Sequence, residues 1–358
     1  MEKLSKLISS QLEVAIGAEW KCNGRSIKLL DGSTLLLPDT PANQKEFPQQ
    51  KCQKKGSGFP IARLVALISM GSGAVLDMVI GRYSGKETGE MALARQLLSS
   101  MQKQDIVVAD RYYCSYFFIA QLQMAGVDLV SRLHGGRGAD FRKGRRLANG
   151  DHIVELKKPP RPDWMDEKSY AEMPNTITVR EVRAKLRRNG YRDKNLVIVT
   201  TLLDELSYSV QAIADLYDER WNCELDLRNL KTTMDLEMLR SKSPKMARKE
   251  LWAALLAYNL IRKMMAQAAF LHATTPRHIS FKGALHTFRA FFPKWTTNAK
   301  TNERLYMEMI ALIAKKKVGN RPGRKEPRKV KRRPKPFPLL QGLRHKTSSN
   351  KKENHAAR

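Results

Sequence analysis

The stretch that most constrains this chain runs from Tyr217 to Lys231, Tyr-Asp-Glu-Arg-Trp-Asn-Cys-Glu-Leu-Asp-Leu-Arg-Asn-Leu-Lys. Read as one helix at about 100° per residue with Tyr217 at the origin, Arg220 falls at roughly 300°, Glu224 at roughly 340° and Lys231 at roughly 320°. Leu216, Cys223, Leu227, Leu230 and Met234 form an apolar stripe directly beside them. A phenol, two cations and a carboxylate thus share a narrow, half-sheltered arc. The arc is either a set of i,i+4 ion pairs on a surface helix or one wall of a site. Spacing alone leaves both open, and the rest of the chain decides.

Before that stretch the pattern alternates. Residues 1–20 predict a short amphipathic helix with Leu4, Leu7, Ile8, Leu12 and Ala15 on one side. Ser26 to Leu37, stopped by Pro38, predicts a strand that bends at Gly32 and carries Asp31. Residues 38–59 read as a loop. Ala62–Ile68 and Ala74–Ile80, joined through Gly71-Ser-Gly73, predict a hairpin. Glu90 to Met101 has helical spacing. Asp105–Asp110 is a short buried strand ending in a carboxylate, followed by a helix over Ser115–Ala125 and a strand over Val127–Leu133. The fold class is α/β, a mixed sheet with helices packed on it.

Residues 135–195 break the alternation with 16 Lys and Arg against 9 Asp and Glu and strand-like pieces at Asp151–Leu156 and Thr176–Val182. They predict a basic, β-rich insertion, closed by a strand over Asn195–Leu203. Ser207 is then expected to cap the helix that holds the opening motif. A long helix is predicted from Ser243-Pro244 to about Phe270, buried at its centre, and further helices over Leu285–Phe292 and Asn302–Ala314. From residue 315 to 358 the chain has 17 Lys and Arg, 2 acidic residues and prolines at 322, 327, 334, 336 and 338, which predicts an extended, disordered basic tail. The expected divisions are therefore 1–25, a short helix; 26–134, the first part of the sheet domain; 135–195, the insertion; 196–314, its second part; and 315–358, the tail.

The net charge of +30 favours a polyanion as partner, nucleic acid before anionic membrane. The apolar run from Leu251 ends by Ile261, short of the ~20 residues a bilayer span needs, and the N-terminus lacks a signal-peptide core. Cys22, Cys52, Cys114 and Cys223 show no metal-ligand spacing and read as buried reduced thiols of a cytoplasmic protein.

Asp31 and Asp110 stand at strand positions, and Glu224 lies on a later helix beside a core stripe. Unpaired buried carboxylates are costly. Three that converge become tolerable around divalent cations, and all-oxygen ligands suit Mg²⁺. Two such ions clamp the attacking and leaving oxygens of a phosphodiester displacement. Arg220 and Lys231 would then meet phosphates from the same face, with Tyr217 against sugar or phosphate. Asp39 competes with Asp31 but follows Pro38. Asp105 reads as a cap, Asp77 as an ordinary hairpin residue, and Glu219 and Asp226 point away. Trp164, in the Pro-rich part of the insertion, is either local packing or a stacking platform for a flipped base.

These residues resemble the DDE transposases of bacterial insertion sequences, in the branch numbered four. That branch carries a Tyr-x2-Arg-x3-Glu-x6-Lys signature, and Tyr217, Arg220, Glu224 and Lys231 match it at every gap. Asp31-Gly-Ser-Thr with Leu37-Pro-Asp-Thr-Pro-Ala-Asn43 resembles the family's first-aspartate region, and Ile106-Val-Val-Ala-Asp110-Arg-Tyr-Tyr its second. Ala257-Tyr-Asn-Leu-Ile261 is similar to the helix that follows the glutamate, and Arg321–Arg328 with Lys331–Lys335 to the basic C-terminal segment.

The resemblance implies a ribonuclease-H-like fold with a β-rich insertion before the glutamate-bearing helix. It implies Mg²⁺-dependent cleavage at insertion-sequence ends, with two ions and Mn²⁺ able to substitute, and transfer of the freed 3′-hydroxyl into target DNA. Asp31, Asp110 and Glu224 are then the catalytic and metal-binding residues, and Tyr217, Arg220, Lys231 and Trp164 the DNA contacts. The expected partners are transposon-end and target DNA and a second copy of the chain across paired ends. Relatives carry a sizeable region before the first aspartate, where this chain has 30 residues, so a copy shortened at its N-terminus is expected. A metal-dependent nuclease of the same fold, or an inactive DNA-binding remnant, are the competing readings.

Overall fold

The computed structural model describes residues 1–54, 56–186 and 194–319. The first half of the chain forms α1 (Glu2–Val14), β1 (Ile27–Leu36), α2 (Pro41–Glu46), β2 (Ile61–Ser69), β3 (Val75–Arg82), α3 (Glu90–Gln96), β4 (Ile106–Ala109), α4 (Tyr116–Met124) and β5 (Asp128–Arg132). There follow β6 (Arg145–Ala148), β7 (Asp151–Lys157), α5 (Glu167–Glu172), β8 (Thr176–Leu186) and β9 (Lys194–Thr200). The helical remainder is α6 (Val210–Asp218), α7 (Trp221–Arg228), α8 (Pro244–Leu271), α9 (Phe281–Phe291) and α10 (Ala299–Lys315). Of the basic tail expected over 315–358, residues 320–358 lie outside the described residues.

The described strands join one sheet in the order β3-β2-β1-β4-β5-β9-β8-β7-β6. β1, β2 and β3 are antiparallel neighbours, while β4 runs parallel to β1 and β5 parallel to β4. This five-stranded order, with its second strand reversed, is the ribonuclease-H-like arrangement. β9 adds antiparallel to β5, and β8, β7 and β6 extend the sheet outward. The basic stretch after β5 therefore continues the same sheet.

Strand alternation sorts the core into two layers. Leu29, Val108, Val130 and Ile198 face the layer built with α6 to α10. Their neighbours Leu30, Val107, Leu129 and Val199 face α3 and α4. The sheet is covered on both sides, which is why its central strands read as near-continuous apolar runs.

Several local expectations are corrected. Tyr217–Lys231 is not one helix. α6 ends at Asp218, α7 restarts at Trp221, and Asn229–Thr233 is a π-helical turn. Constant rotation per residue therefore fails across the motif. Ser209, not Ser207, caps α6, accepting from the Ala212 N–H, while Ser207 bonds Asp204 instead. In α1 the buried face is Ser5, Ile8, Ser9 and Leu12, and Leu4 is 48% exposed. Its Ser5 hydroxyl accepts from Asn259 of α8, which selects the polar face. α2 forms inside the expected loop because Thr40 caps it and Pro41 sits at its first turn. Cys52 is exposed, while Cys114 and Cys223 are buried.

Candidate active site

The register of the two central strands brings the aspartates together. Leu30 of β1 lies opposite Ala109 of the parallel β4. Asp31 and Asp110 are the next residue on each, so they leave adjacent strands at the same level, about 5 Å apart in strand spacing. Asp110 is then fixed twice. Its carboxylate accepts the Tyr112 N–H at 2.7 Å, capping the turn Arg111–Tyr113, and its carbonyl accepts the Ser131 hydroxyl at 2.6 Å from β5.

Glu224 arrives on α7, which packs on β1. Cys223, Asp226 and Leu227 are buried, while Glu224 is only half-buried and meets Arg220. Arg220 joins the carboxylates, with its guanidinium 2.6 Å from Glu224 Oε1 and 3.6 Å from Asp31 Oδ2. Beyond the π-helical turn the chain returns to β1, where the Leu36 N–H donates to the Glu237 carbonyl and the Leu239 N–H to the Leu36 carbonyl. The whole motif is thereby pinned to the strand that carries Asp31.

The electrostatics are those of a site short of positive charge. Burial pushes the Asp31 carboxyl up to about 6. The Gly32 N–H and Arg220 oppose the rise, and the charges of Asp110 and Glu224 add to it. Arg220 itself is raised above its ordinary value by Glu224, Tyr217 and Asp31, against the effect of burial. Among the described residues no three His, Cys, Asp or Glu side chains form a ready cation cluster, and the Arg220 guanidinium meets both Asp31 and Glu224. The donor set nevertheless fits a hard divalent cation. It consists of carboxylate oxygens only, and burial, the largest cause of the raised Asp31, is what makes a charge there costly without a partner.

Tyr217 is buried, with its phenol raised by burial and in reach of Arg220, Asp110 and Arg132. Lys231 is half-buried on the π-helical turn. Trp164 stands apart from this group. It packs edge-on against Phe117, ring centroids 5.9 Å apart, with the Arg95 guanidinium 3.6 Å from its ring centre. Its environment is local packing over α4.

Two groups near the site were given no role from the sequence, Asp226 having been set aside as pointing away from the motif face. Arg132, exposed at the end of β5, is in electrostatic reach of Tyr217. Asp226, on the far side of α7 from Glu224, is buried against Arg262 and Arg277, at 2.7 Å from the latter. Arg277 also donates to the Met70 and Ser69 carbonyls at the end of β2. An acidic residue inside an otherwise apolar helical stripe was the available signal for Asp226. Nothing in the local sequence marked Arg132.

A ribonuclease-H-like sheet with an aspartate within its first strand, another just after its fourth and a glutamate on the helix packed beside them defines the class. Residues 23–260 match the family described as transposase DDE domain. The chain belongs to that family, within its insertion-sequence IS4 branch, and is an enzyme acting on DNA. It is 28% identical over 319 residues to the Escherichia coli (strain K12) transposase InsG for insertion sequence element IS4, covering 88% of this chain and 70% of that one. It is 42% identical over 65 residues to the Escherichia coli transposase for insertion sequence element IS421, 18% of each chain. A solved chain from a piggyBac transposase synaptic complex with hairpin DNA overlays with a TM-score of 0.43 and 9% identity, over 83% of this chain and 58% of the other. Family membership carries a general dependence on divalent metal. Among the described residues no helix is long and apolar enough to cross a membrane.

Proposed function

We propose that this protein cuts DNA at the ends of an insertion sequence and joins the freed 3′-hydroxyl to target DNA, in a Mg²⁺-dependent reaction centred on Asp31, Asp110 and Glu224. The observation that carries the reading is the Asp31–Arg220–Glu224 contact beside Asp110. It links the motif helix to Asp31 of β1, whose neighbour Leu30 is in register with Ala109, the residue before Asp110.

Two bound Mg²⁺ ions would supply charge neutralisation and alignment of the attacking and leaving oxygens. The protein's own groups do the rest. Asp31, Asp110 and Glu224 would hold the cations in place of Arg220. Arg220, released from Asp31 and Glu224, turns its planar fork to the phosphate. Lys231 and Arg132 grip the flanking backbone as point and fork charges, and Tyr217 holds Arg220 from the core side. Trp164 would reach a base only by leaving Phe117, so its role in DNA contact is the least supported of the set. The reaction joins two DNA ends, and a homodimer acting in the cytoplasm on the nucleoid is the assembly this reading implies.

The test is nicking of a duplex that carries the terminal repeat found beside the gene. Glu224→Gln is expected to lower the Mg²⁺-dependent nicking rate by at least about a hundredfold while DNA affinity stays within about twofold, because the change removes one charge and no basic contact. Nicking by Glu224→Gln at the rate of the unsubstituted protein ends the assignment.

A further inference from the structure

The chain that leaves β5 passes directly beside the turn that follows Asp110. The Ser131 hydroxyl donates to the Asp110 carbonyl, and Gly135 lies against Arg111, where a Cβ would stand 3.7 Å from Nη1. From there residues 137–146, Arg-Gly-Ala-Asp-Phe-Arg-Lys-Gly-Arg-Arg, run out to the edge strand β6 with five cations against one carboxylate. The side chains of Arg142 and Lys143 are 91% and 80% exposed, and Arg145 and Arg146 are exposed as well. Like charges this close together repel, and a run of them does not hold one shape by itself.

One buried carboxylate gives the segment a shape. Glu181 of β8 stands directly opposite His152 of β7, and both are buried. Glu181 accepts from the Arg137 guanidinium at the start of the segment. Its other oxygen lies 3.0 Å from His152 Nε2, and Nδ1 of the same ring donates to the Lys143 carbonyl at 2.7 Å. Both ends of the segment are thus tied to a single side chain. The middle is held by Phe141, which packs on the His152 ring with centroids 4.5 Å apart and has the Arg183 guanidinium 4.6 Å from its centre. Asp140 aligns the fork of Arg142 at 2.9 and 3.2 Å. Gly144 makes the return into β6 at φ +75°, where a Cβ would collide with the Ile153 carbonyl. Charged residues on an edge strand also discourage pairing with another sheet, but that task needs charge alone. A buried carboxylate and imidazole committed to the shape of the segment point to a partner that meets its cations at fixed spacing.

We propose that Glu181 is a positioning residue: through Arg137 and His152 it holds residues 137–146 as a fixed platform that presents Arg142, Lys143, Arg145 and Arg146 to the phosphate backbone of DNA running past Asp110. Phosphates are regularly spaced, so a platform of set shape meets several at once, where a loose segment would first have to be ordered. The inference rests on the DNA-acting reading above and goes beyond it, because it concerns a side chain that touches neither DNA nor metal.

The test is the affinity of the full chain for a labelled duplex, read by fluorescence anisotropy over a range of salt. Arg142→Gln, Lys143→Gln, Arg145→Gln and Arg146→Gln combined are expected to reduce the slope of log affinity against log salt by about two to four. Glu181→Gln removes a negative charge, which by itself would tighten binding to a polyanion. It is expected instead to weaken binding by at least about fivefold, and to have no effect in the chain already lacking the four cations, because Glu181 acts only through them. Glu181→Gln binding as tightly as the unsubstituted protein, or more tightly, would overturn the proposal. So would an equal loss in both backgrounds, which would mark a general structural role. Gly144→Ala changes no charge and is expected to follow the same pattern. It decides alone if Glu181→Gln loses the near-UV circular dichroism of the folded protein, and unchanged binding by it then overturns the proposal. An unsubstituted protein that binds no duplex would overturn the DNA-acting reading together with this one. Duplex binding that survives all of these changes leaves that reading standing and removes only the platform.

Discussion

Asp31 stores free energy that the unloaded protein does not recover. Its carboxyl titrates at about 6 in the fold, above its ordinary value of 3.8. The folded state therefore holds the proton more tightly than the unfolded chain. Stability falls as pH rises from about 4 to about 6 and stays lower above that, by about 3 kcal/mol at most. Asp31→Asn removes the penalty. In metal-free buffer at pH 8 its melting temperature is expected a few degrees above that of the unsubstituted protein, and near pH 4 the difference should close. A thermal scan at the two pH values checks this. Saturating Mg²⁺ should erase the gap at pH 8 from the other side, by stabilising only the protein with the carboxylate. At this scale the chain was readable where a residue's role is local. Asp31 and Asp110 each break or end an apolar run, and Glu224 stands in a polar arc beside an apolar stripe, patterns that are visible in one dimension. Glu181 was not readable, because its partners Arg137 and His152 lie 44 and 29 positions earlier and meet it only once β7 and β8 pair.

The helix segment α7 is positioned by what lies behind it. Asp226 is buried with Arg262 and Arg277, and Tyr258 donates from its hydroxyl to the Gly73 carbonyl while accepting from Arg262. The network ties α7 to the β2–β3 turn and to α8. Removing one partner leaves buried charge uncompensated, so Asp226→Asn is expected to destabilise the protein by about 3–5 kcal/mol. Denaturant unfolding measures that loss, and hydrogen exchange should show α7 opening first. A loss under about 1 kcal/mol would mean that the network is not what holds the helix. Element existence was legible where periodicity was strong, as in β1, β4 and α8. It failed at β6, Arg-Arg-Leu-Ala, whose exposed basic residues carry no strand pattern and which forms only as an edge against β7. It failed too at the break after Asp218, because a continuous angular count cannot see a restart or a π-helical turn.

Charge belongs to the molecule as a whole. The net +30 is concentrated toward the C-terminus, with 14 Lys and Arg against 2 acidic residues beyond position 319. Non-specific DNA affinity should therefore fall by about a thousandfold or more between 50 and 200 mM salt. A chain ending at Gly319 should show a shallower salt slope and DNA affinity lower by at least about tenfold at the lower salt. Fluorescence anisotropy with a labelled duplex reads both. An unchanged slope would mean that the folded residues carry all the phosphate contacts. The sheet class was legible because helices alternate with apolar strands. The joining of the basic β-rich stretch to the same sheet was not, since β9 pairs with β5 on one edge and β8 on the other, a choice of partners that no local pattern encodes.

The central claim is that Asp31, Asp110 and Glu224 form one cation site that Arg220 occupies in the metal-free protein. A crystal of the protein soaked in Mn²⁺, with an anomalous difference map at the manganese edge, tests it most directly. The account predicts a peak bound by carboxylate oxygens of Asp31 and of Asp110 or Glu224, with the Arg220 guanidinium displaced from Asp31. A map without a peak there, or with manganese held by other residues while Arg220 still bridges Asp31 and Glu224, would contradict it.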